Sequence, residues 1–468
     1  MNLPLPSFPE FLVARLFKAR FSAKNWGAVA GALARTGPAA YLAARNHYGW
    51  MAAAKSPNDL LETFVRGRTG VYRQAVGLLM AEITESFLKS IGRMLAEPGK
   101  IVLHEDLVPA EILYGMGLVP WMAELLGIMS SVISIELGEH YIDVAEAAGV
   151  PPDTCSLPKV TMGLVLEDDM PKPVAAVASN MPCNGGMSSY TLIQKKLSCP
   201  VFRLDAPFDF HSERAVEYFA DQLKRLISWL EEHTPGRMDW DRMRQVCERR
   251  NRAAAAELSL WDLVAKKPAP LAAEPVYFSH LLFMIAYPGT RRSVRVMEKM
   301  LSLAEKNARA GKGALAEEKR RVILWNPPTL CLPDLWVWAE QKYGCAMVMD
   351  MLSFNRHPFI DTSTPDAMLR DLARIIMAGP MARHTRGPAE NFFSDLFHIY
   401  ERFCADMIWM AGHVGCKNTM ALNGMFRETC REKGIPLLII NYDLHDTRVT
   451  SPEQIRAQVD SFMETVVR

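Results

Sequence analysis

Apolar and polar positions follow two different rhythms along this chain. Over residues 72–95, "YRQAVGLLMAEITESFLKSIGRML", apolar residues recur every three to four positions, which predicts an amphipathic helix. Residues 1–95 as a whole read as a helical extension. Beyond them, short β-branched or apolar runs alternate with helical stretches. "KIVLHE", "SVISIEL", "PVAAVASN" and "CPVFRLD" read as strands, and "PAEILYGMG", "EHYIDVAEAAG" and "GGMSSYTLIQKKL" read as helices. Runs this short, bounded by Gly and Pro and separated by helices, predict βαβ units and a parallel sheet.

The strand signal then vanishes. "ERAVEYFADQLKRLISWLEEH" and "DWDRMRQVCERRNRAAAAELSLWDLV" have the long apolar stripe of helices, and a polar stretch follows "SVRVMEKMLSLAEKNARAG". Strands resume at "RVILWN", "CAMVMDM", "DMIWMAGH" and "IPLLIINYD". The expected fold is therefore α/β, with two doubly wound, flavodoxin-like parallel-sheet lobes at 96–235 and 319–468. A helical segment, 236–318, joins them, and the two lobes read as structural cousins.

Composition narrows the function. Lys and Arg total 53 against 52 Asp and Glu, so no net field draws the chain to nucleic acid or an anionic membrane. Nine scattered cysteines in 468 residues do not form a secreted disulfide framework, which places the protein in a reducing, cytoplasmic setting. The most apolar region, 107–137, is broken by Pro109, Glu111, Pro120 and Glu124, so no transmembrane span is expected. Residues 1–50 carry six Lys or Arg and only Glu10 as an acid. They lack a compact apolar run, and read as helices that dock on a partner subunit.

Ligands of open parallel sheets bind beyond the carboxyl ends of the strands. Cys183 follows "PVAAVASNMP" and Cys416 follows "DMIWMAGHVG", so each lobe delivers one cysteine to that edge just before a helix, where the dipole favours a thiolate. Cys155 lies in a polar, Pro-flanked loop, "PPDTCSLPKVTMG". Three thiolates meeting between the lobes would suit an iron–sulfur cluster. Their spacing matches no compact ligand motif, and a scattered cysteine is by default a small buried hydrophobe. That default is kept for Cys199, Cys247, Cys331, Cys345, Cys404 and Cys430. His413, three residues before Cys416, is a candidate for the same cleft or a satisfied core histidine. The pairs His104/Glu105 and His445/Asp446 lie at strand ends and suit acid–base work or plain hydrogen bonding. "GMGLVP" lacks the last glycine of a dinucleotide fingerprint, "ARAGKGALAE" is not a P-loop, and no GxSxG elbow occurs.

Three phrases resemble the 2-hydroxyacyl-CoA dehydratase and class I benzoyl-CoA reductase family: "EDLVPAEILYGMGLVP"; "CSLPKVTMG" leading to "SNMPCNGGMSSYTLIQKKLSCPVFRLDAPFD"; and "HVGCKNTMALNGMFRETCREKGIPLLIINYDLHDTRVTSPEQIRAQVDSFMET". The likeness spans about 80–235 and 320–468. It implies that Cys155, Cys183 and Cys416 are ligands of a 4Fe-4S cluster whose remaining iron faces substrate. It gives Glu111 a part in positioning substrate or moving protons, and Tyr114 departs from the family's usual alanine. The resemblance further implies a radical reaction on an acyl-CoA, a paralogous second subunit with its own cluster, and a separate ATP-hydrolysing iron–sulfur activator. Elimination of water from an (R)-2-hydroxyacyl-CoA and reduction of an aromatic acyl-CoA both fit. A non-catalytic electron-transfer paralogue and a cluster-free one are the other classes. Met116, Trp121, Trp325 and Trp409 are candidates to line an acyl pocket, with plain core as the alternative.

Overall fold

The computed structural model describes residues 8–53, 57–208, 212–326, 331–386 and 388–466. Its frame is two four-stranded, wholly parallel sheets. The first comprises β1 (Ile101–His104), β2 (Val119–Met122), β3 (Ala175–Ser179) and β4 (Val201–Leu204), in the order β2-β1-β3-β4. The second comprises β5 (Arg320–Trp325), β6 (Cys345–Asp350), β7 (Met407–His413) and β8 (Leu437–Tyr442), in the order β6-β5-β7-β8. Each sheet therefore runs second, first, third, fourth strand, and the lobes are cousins as expected. Strands β1, β3, β5, β6 and β7 are almost wholly buried, because helices cover both faces of a parallel sheet. That burial is why they read as unbroken apolar runs.

Two local expectations change. "SVISIEL" is not a strand: Ala123–Ile133 and Ile135–Ala147 are helices, separated by an extended Ser134. The helices press so closely that a Cβ at Gly138 would lie 2.1 Å from Ser131 Oγ. Helix packing overrides the β-branched preference of Val132 and Ile133. The missing strand is β2, hidden in "GLVPWM". It lies at the sheet edge, where Pro120 can lack an N–H without breaking the ladder.

Segments far apart in the sequence share the cores of the lobes. The helix Glu213–His233 packs on Pro365–Ala378, and Met368, Leu369, Leu372 and Ile375 fill the same core as Phe219, Leu223 and Leu226. Chain assigned by position to the second lobe thus completes the first. The N-terminal helices pack on the body of the chain. Phe21, Leu61, Tyr72 and Leu79 share a core with Trp261 and Met297 of the helical segment and with Ile323 and Trp325 of the second sheet. Arg68, almost wholly buried, pins this layer by pairing with Glu274 and with Glu340 (Nη2–Oε1 2.7 Å). Met116, Trp121, Trp325 and Trp409 all belong to buried cores. Among the described residues no helix is long and apolar enough to cross a membrane.

Candidate functional site

Beyond β3 the chain turns through Asn180, Met181 and Pro182 and places Cys183 in extended conformation just ahead of the helix Asn184–Lys196. The backbone N–H groups of Gly185 and Gly186 point to its sulfur. A side chain at Gly185 would put a Cβ 2.9 Å from Pro158 Cγ, so glycine is what lets this helix start approach the one that begins at Ser156. Cys155 holds the corresponding place before the helix Ser156–Leu166, and Cys416 the place before the single turn Lys417–Met420. No side-chain cap hydrogen bond is made at any of these three helix starts, and Cys416 Sγ contacts Thr419 Oγ1 at 3.1 Å.

Cys183 and Cys416 leave the third strand of their respective sheets, beside the point where each strand order reverses. Ligand crevices form at such points. The lobes bring these positions face to face. A Cβ at Gly415 would lie 2.7 Å from Cys155 Cα, so the loop after β7 packs directly on the Cys155 backbone. Burial, then the neighbouring Cys416 and Cys183 sulfurs, push the Cys155 thiol well above its ordinary value. Burial also raises the Cys183 thiol, against the pull of the Gly186 and Gly185 N–H groups and with a further push from Cys416. Each sulfur is thus within electrostatic reach of the others.

Among the described residues no three His, Cys, Asp or Glu side chains close around a single ion. A polynuclear cluster makes a different demand. Each thiolate binds its own metal atom, so three sulfurs must ring a gap and not converge on a point. The donor set fits such a group: three half-buried thiols, helix starts behind them, and no competing cap. Lys159, one turn beyond Cys155, adds a buried cation held by Glu146 Oε1 at 2.6 Å.

His413 ends β7 and is buried. Its Nε2 lies 3.1 Å from Cys155 Sγ, and its Nδ1 lies 3.2 Å from the backbone N of Leu444. Burial holds the imidazole below its ordinary value, against the raising effect of Asp443. The other strand-end histidines stay neutral for the same reason. Burial brings His445 down to about 3 and His104 to about 4, and His445 Nδ1 contacts Ser131 Oγ at 2.7 Å. Glu105 accepts both the N–H (2.7 Å) and the hydroxyl (2.6 Å) of Ser179, bracing β1 against the end of β3.

Beside the cysteines lies a cavity of about 150 Å³ between the lobes and the helical segment. Leu157, Leu281, Met284, Leu372, Ile375 and Leu444 make most of its wall apolar. Leu157 stands two residues from Cys155, and Leu444 is the residue whose N–H meets His413, so the cavity abuts the sulfur site. Five polar residues line it: Asp106, Glu111, Arg250, His280 and Asn355. Glu111 pairs with Arg250 (Oε1–Nε 2.8 Å), and burial raises its carboxyl although Arg250 pulls it down. Burial lifts Asp106 to about 6. His280 Nδ1 is bonded to Glu257 at 2.8 Å.

Residues 107–466 match the family model for the 2-hydroxyglutaryl-CoA dehydratase, D-component. The chain belongs to this family. It is 24% identical over 356 residues to the lactoyl-CoA dehydratase subunit alpha of Anaerotignum propionicum, covering 69% of this chain and 81% of that one. It is 29% identical over 170 residues to the (R)-2-hydroxyglutaryl-CoA dehydratase, subunit alpha, of Acidaminococcus fermentans, covering 36% of this chain and 35% of that one. The matched range takes in Glu111, all three site cysteines and His413.

The structure thus gathers Cys155, Cys183, Cys416 and His413 at one seam and sets Glu111 in the adjoining cavity. Among the six remaining cysteines, five are buried as the default reading holds, but Cys404 is exposed, because it follows the helix end at Arg402 on the surface. Sequence reasoning passed over Asp106, Arg250 and His280. Asp106 adjoins the flagged pair His104/Glu105 and was within reach. Arg250 and His280 sit in helices whose amphipathic pattern accounts for them as ordinary residues.

Proposed function

We propose that this chain is the iron–sulfur catalytic subunit of a 2-hydroxyacyl-CoA dehydratase, acting with a paralogous second subunit and a separate ATP-hydrolysing activator. The observation that carries the reading is the meeting of three uncapped cysteines from two lobes beside an apolar, carboxyl-bearing cavity. Cys155, Cys183 and Cys416 would hold a 4Fe-4S cluster. When bound, the cluster supplies low-potential electron transfer to the thioester and an iron site without a protein thiolate.

The remaining work falls to the chain itself. Loss of water from a 2-hydroxyacyl group requires the C2 hydroxyl to leave and a C3 proton to be taken. Apolar walls keep water from the reacting carbons and strengthen every charge inside. Glu111, locked to Arg250, is a fixed acceptor for orienting the hydroxyl-bearing acyl group. Asp106, held near 6, can both take and return a proton close to neutral pH.

The test is anaerobic co-expression with partner and activator. A brown protein with about four irons per chain, ATP-dependent formation of an enoyl-CoA, and no turnover of benzoyl-CoA supports the proposal. Reduction of an aromatic acyl-CoA instead would make it a benzoyl-CoA reductase subunit. Iron without acyl-CoA binding would make it an electron carrier, and an iron-free, colourless chain would end the reading.

A further inference from the structure

Resting on that cluster reading, we infer that His413 is a positioning residue that donates an N–H···S hydrogen bond to the Cys155 ligand and sets the cluster's reduction potential. The tautomer follows from geometry. Leu444 is a backbone donor, and its N lies 3.2 Å from His413 Nδ1, so Nδ1 accepts and carries no proton. The ring proton is therefore on Nε2, 3.1 Å from Cys155 Sγ. Asp443 Oδ2, at 3.7 Å from Nδ1, is too far to compete. The ring is held in place, since it is buried and the Tyr442 ring lies tilted beside it with centroids 5.9 Å apart.

A proton aimed at a ligand sulfur stabilises the more negative oxidation level, so it raises the potential. The arrangement also joins the lobes. The donor ends β7 of the second sheet and the acceptor precedes a helix of the first lobe, so the cluster's electronic setting depends on how the lobes close. Because His413 holds Leu444, a wall of the cavity, through its other nitrogen, the same ring links the acyl pocket to the sulfur.

The test uses the full chain, purified anaerobically with its cluster, as wild type, His413→Leu and His413→Gln. With four irons retained, His413→Leu should titrate at a more negative midpoint, and His413→Gln, which keeps an N–H donor, should return towards the wild-type value. Independently, wild-type protein labelled with 15N-histidine should show a nitrogen coupling in pulsed EPR of the reduced cluster, and His413→Gln should remove it. A His413→Leu midpoint equal to or above wild type, or no histidine coupling in the wild type, overturns the assignment. Should His413→Leu fail to fold or to hold iron, the wild-type coupling decides alone. A wild-type chain that binds no iron overturns the cluster reading itself, and this inference with it.

Discussion

Glu111 and Arg250 face each other at 2.8 Å where the first lobe meets the helical segment, and both are almost wholly buried. Arg250 also donates from Nη1 to the carbonyl of Pro358 at 3.0 Å, so one guanidinium ties three parts of the chain around the cavity. Removing one partner of such a pair strands a charge without water. Arg250→Ala should cost about 3–5 kcal/mol in urea unfolding, whereas Arg250→Met combined with Glu111→Gln should cost much less. Equal losses for the single and the double variant would show that the pair has no such role.

Glu124 gives a stability effect with a defined sign. Burial, then the neighbouring Asp106, hold its carboxyl well above the ordinary value. The folded state therefore favours the protonated form. Its contribution is complete below the unfolded value of 4.5 and is lost as pH rises through the folded value. Glu124→Gln keeps an acceptor for the Tyr190 hydroxyl, 3.4 Å away. The variant should match wild type near pH 4 and become the more stable of the two as pH rises, read from denaturation midpoints across pH 4–9.

Asp395 works in the opposite direction. Burial would raise its carboxyl, but His384, Arg356 and Arg383 overcome that and hold it at about 2. It accepts from Arg383 Nε at 3.0 Å and contacts His384 Nε2 at 2.9 Å. Stability from this carboxylate is present above its unfolded value of 3.8 and lost as pH falls through about 2. Asp395→Asn should be destabilised by about 3–5 kcal/mol at pH 7. Its deficit should shrink between pH 4 and pH 2, and a deficit independent of pH would contradict the charge argument.

Two cysteines separate site from core. Cys247 is wholly buried in the core that holds Met243, Leu223 and Leu226, within a helix and not at a strand end. Cys247→Ala should lower stability by about 1–2 kcal/mol and keep its iron. Cys183→Ala should keep its fold and lose the cluster, checked by iron content and visible absorption. Iron lost from both variants, or from neither, would break the distinction.

The cavity wall offers a test of the acyl pocket. Leu372 is buried, lines the cavity and belongs to the chain that crosses back to the first lobe. Leu372→Phe should raise KM for longer 2-hydroxyacyl-CoA substrates about tenfold, equivalent to about 1.4 kcal/mol, with iron content unchanged. An unchanged KM across a chain-length series would place the acyl group elsewhere.

The sequence by itself determined most of the strands, both parallel sheets and the family-like phrases around Cys155, Cys183 and Cys416. It could do so because strands buried on both faces must be apolar along their length, and because a strand mouth followed by a helix start is a local pattern. It misjudged "SVISIEL", where helix packing outweighs local preference, and missed the edge strand in "VPWM". Tertiary structure alone decided that helices near 365–386 complete the first lobe, that Arg250 meets Glu111, and that His413 turns to Cys155. Each of these pairs residues more than a hundred positions apart. No short-range periodicity records which distant side chains the closing of two lobes will press together.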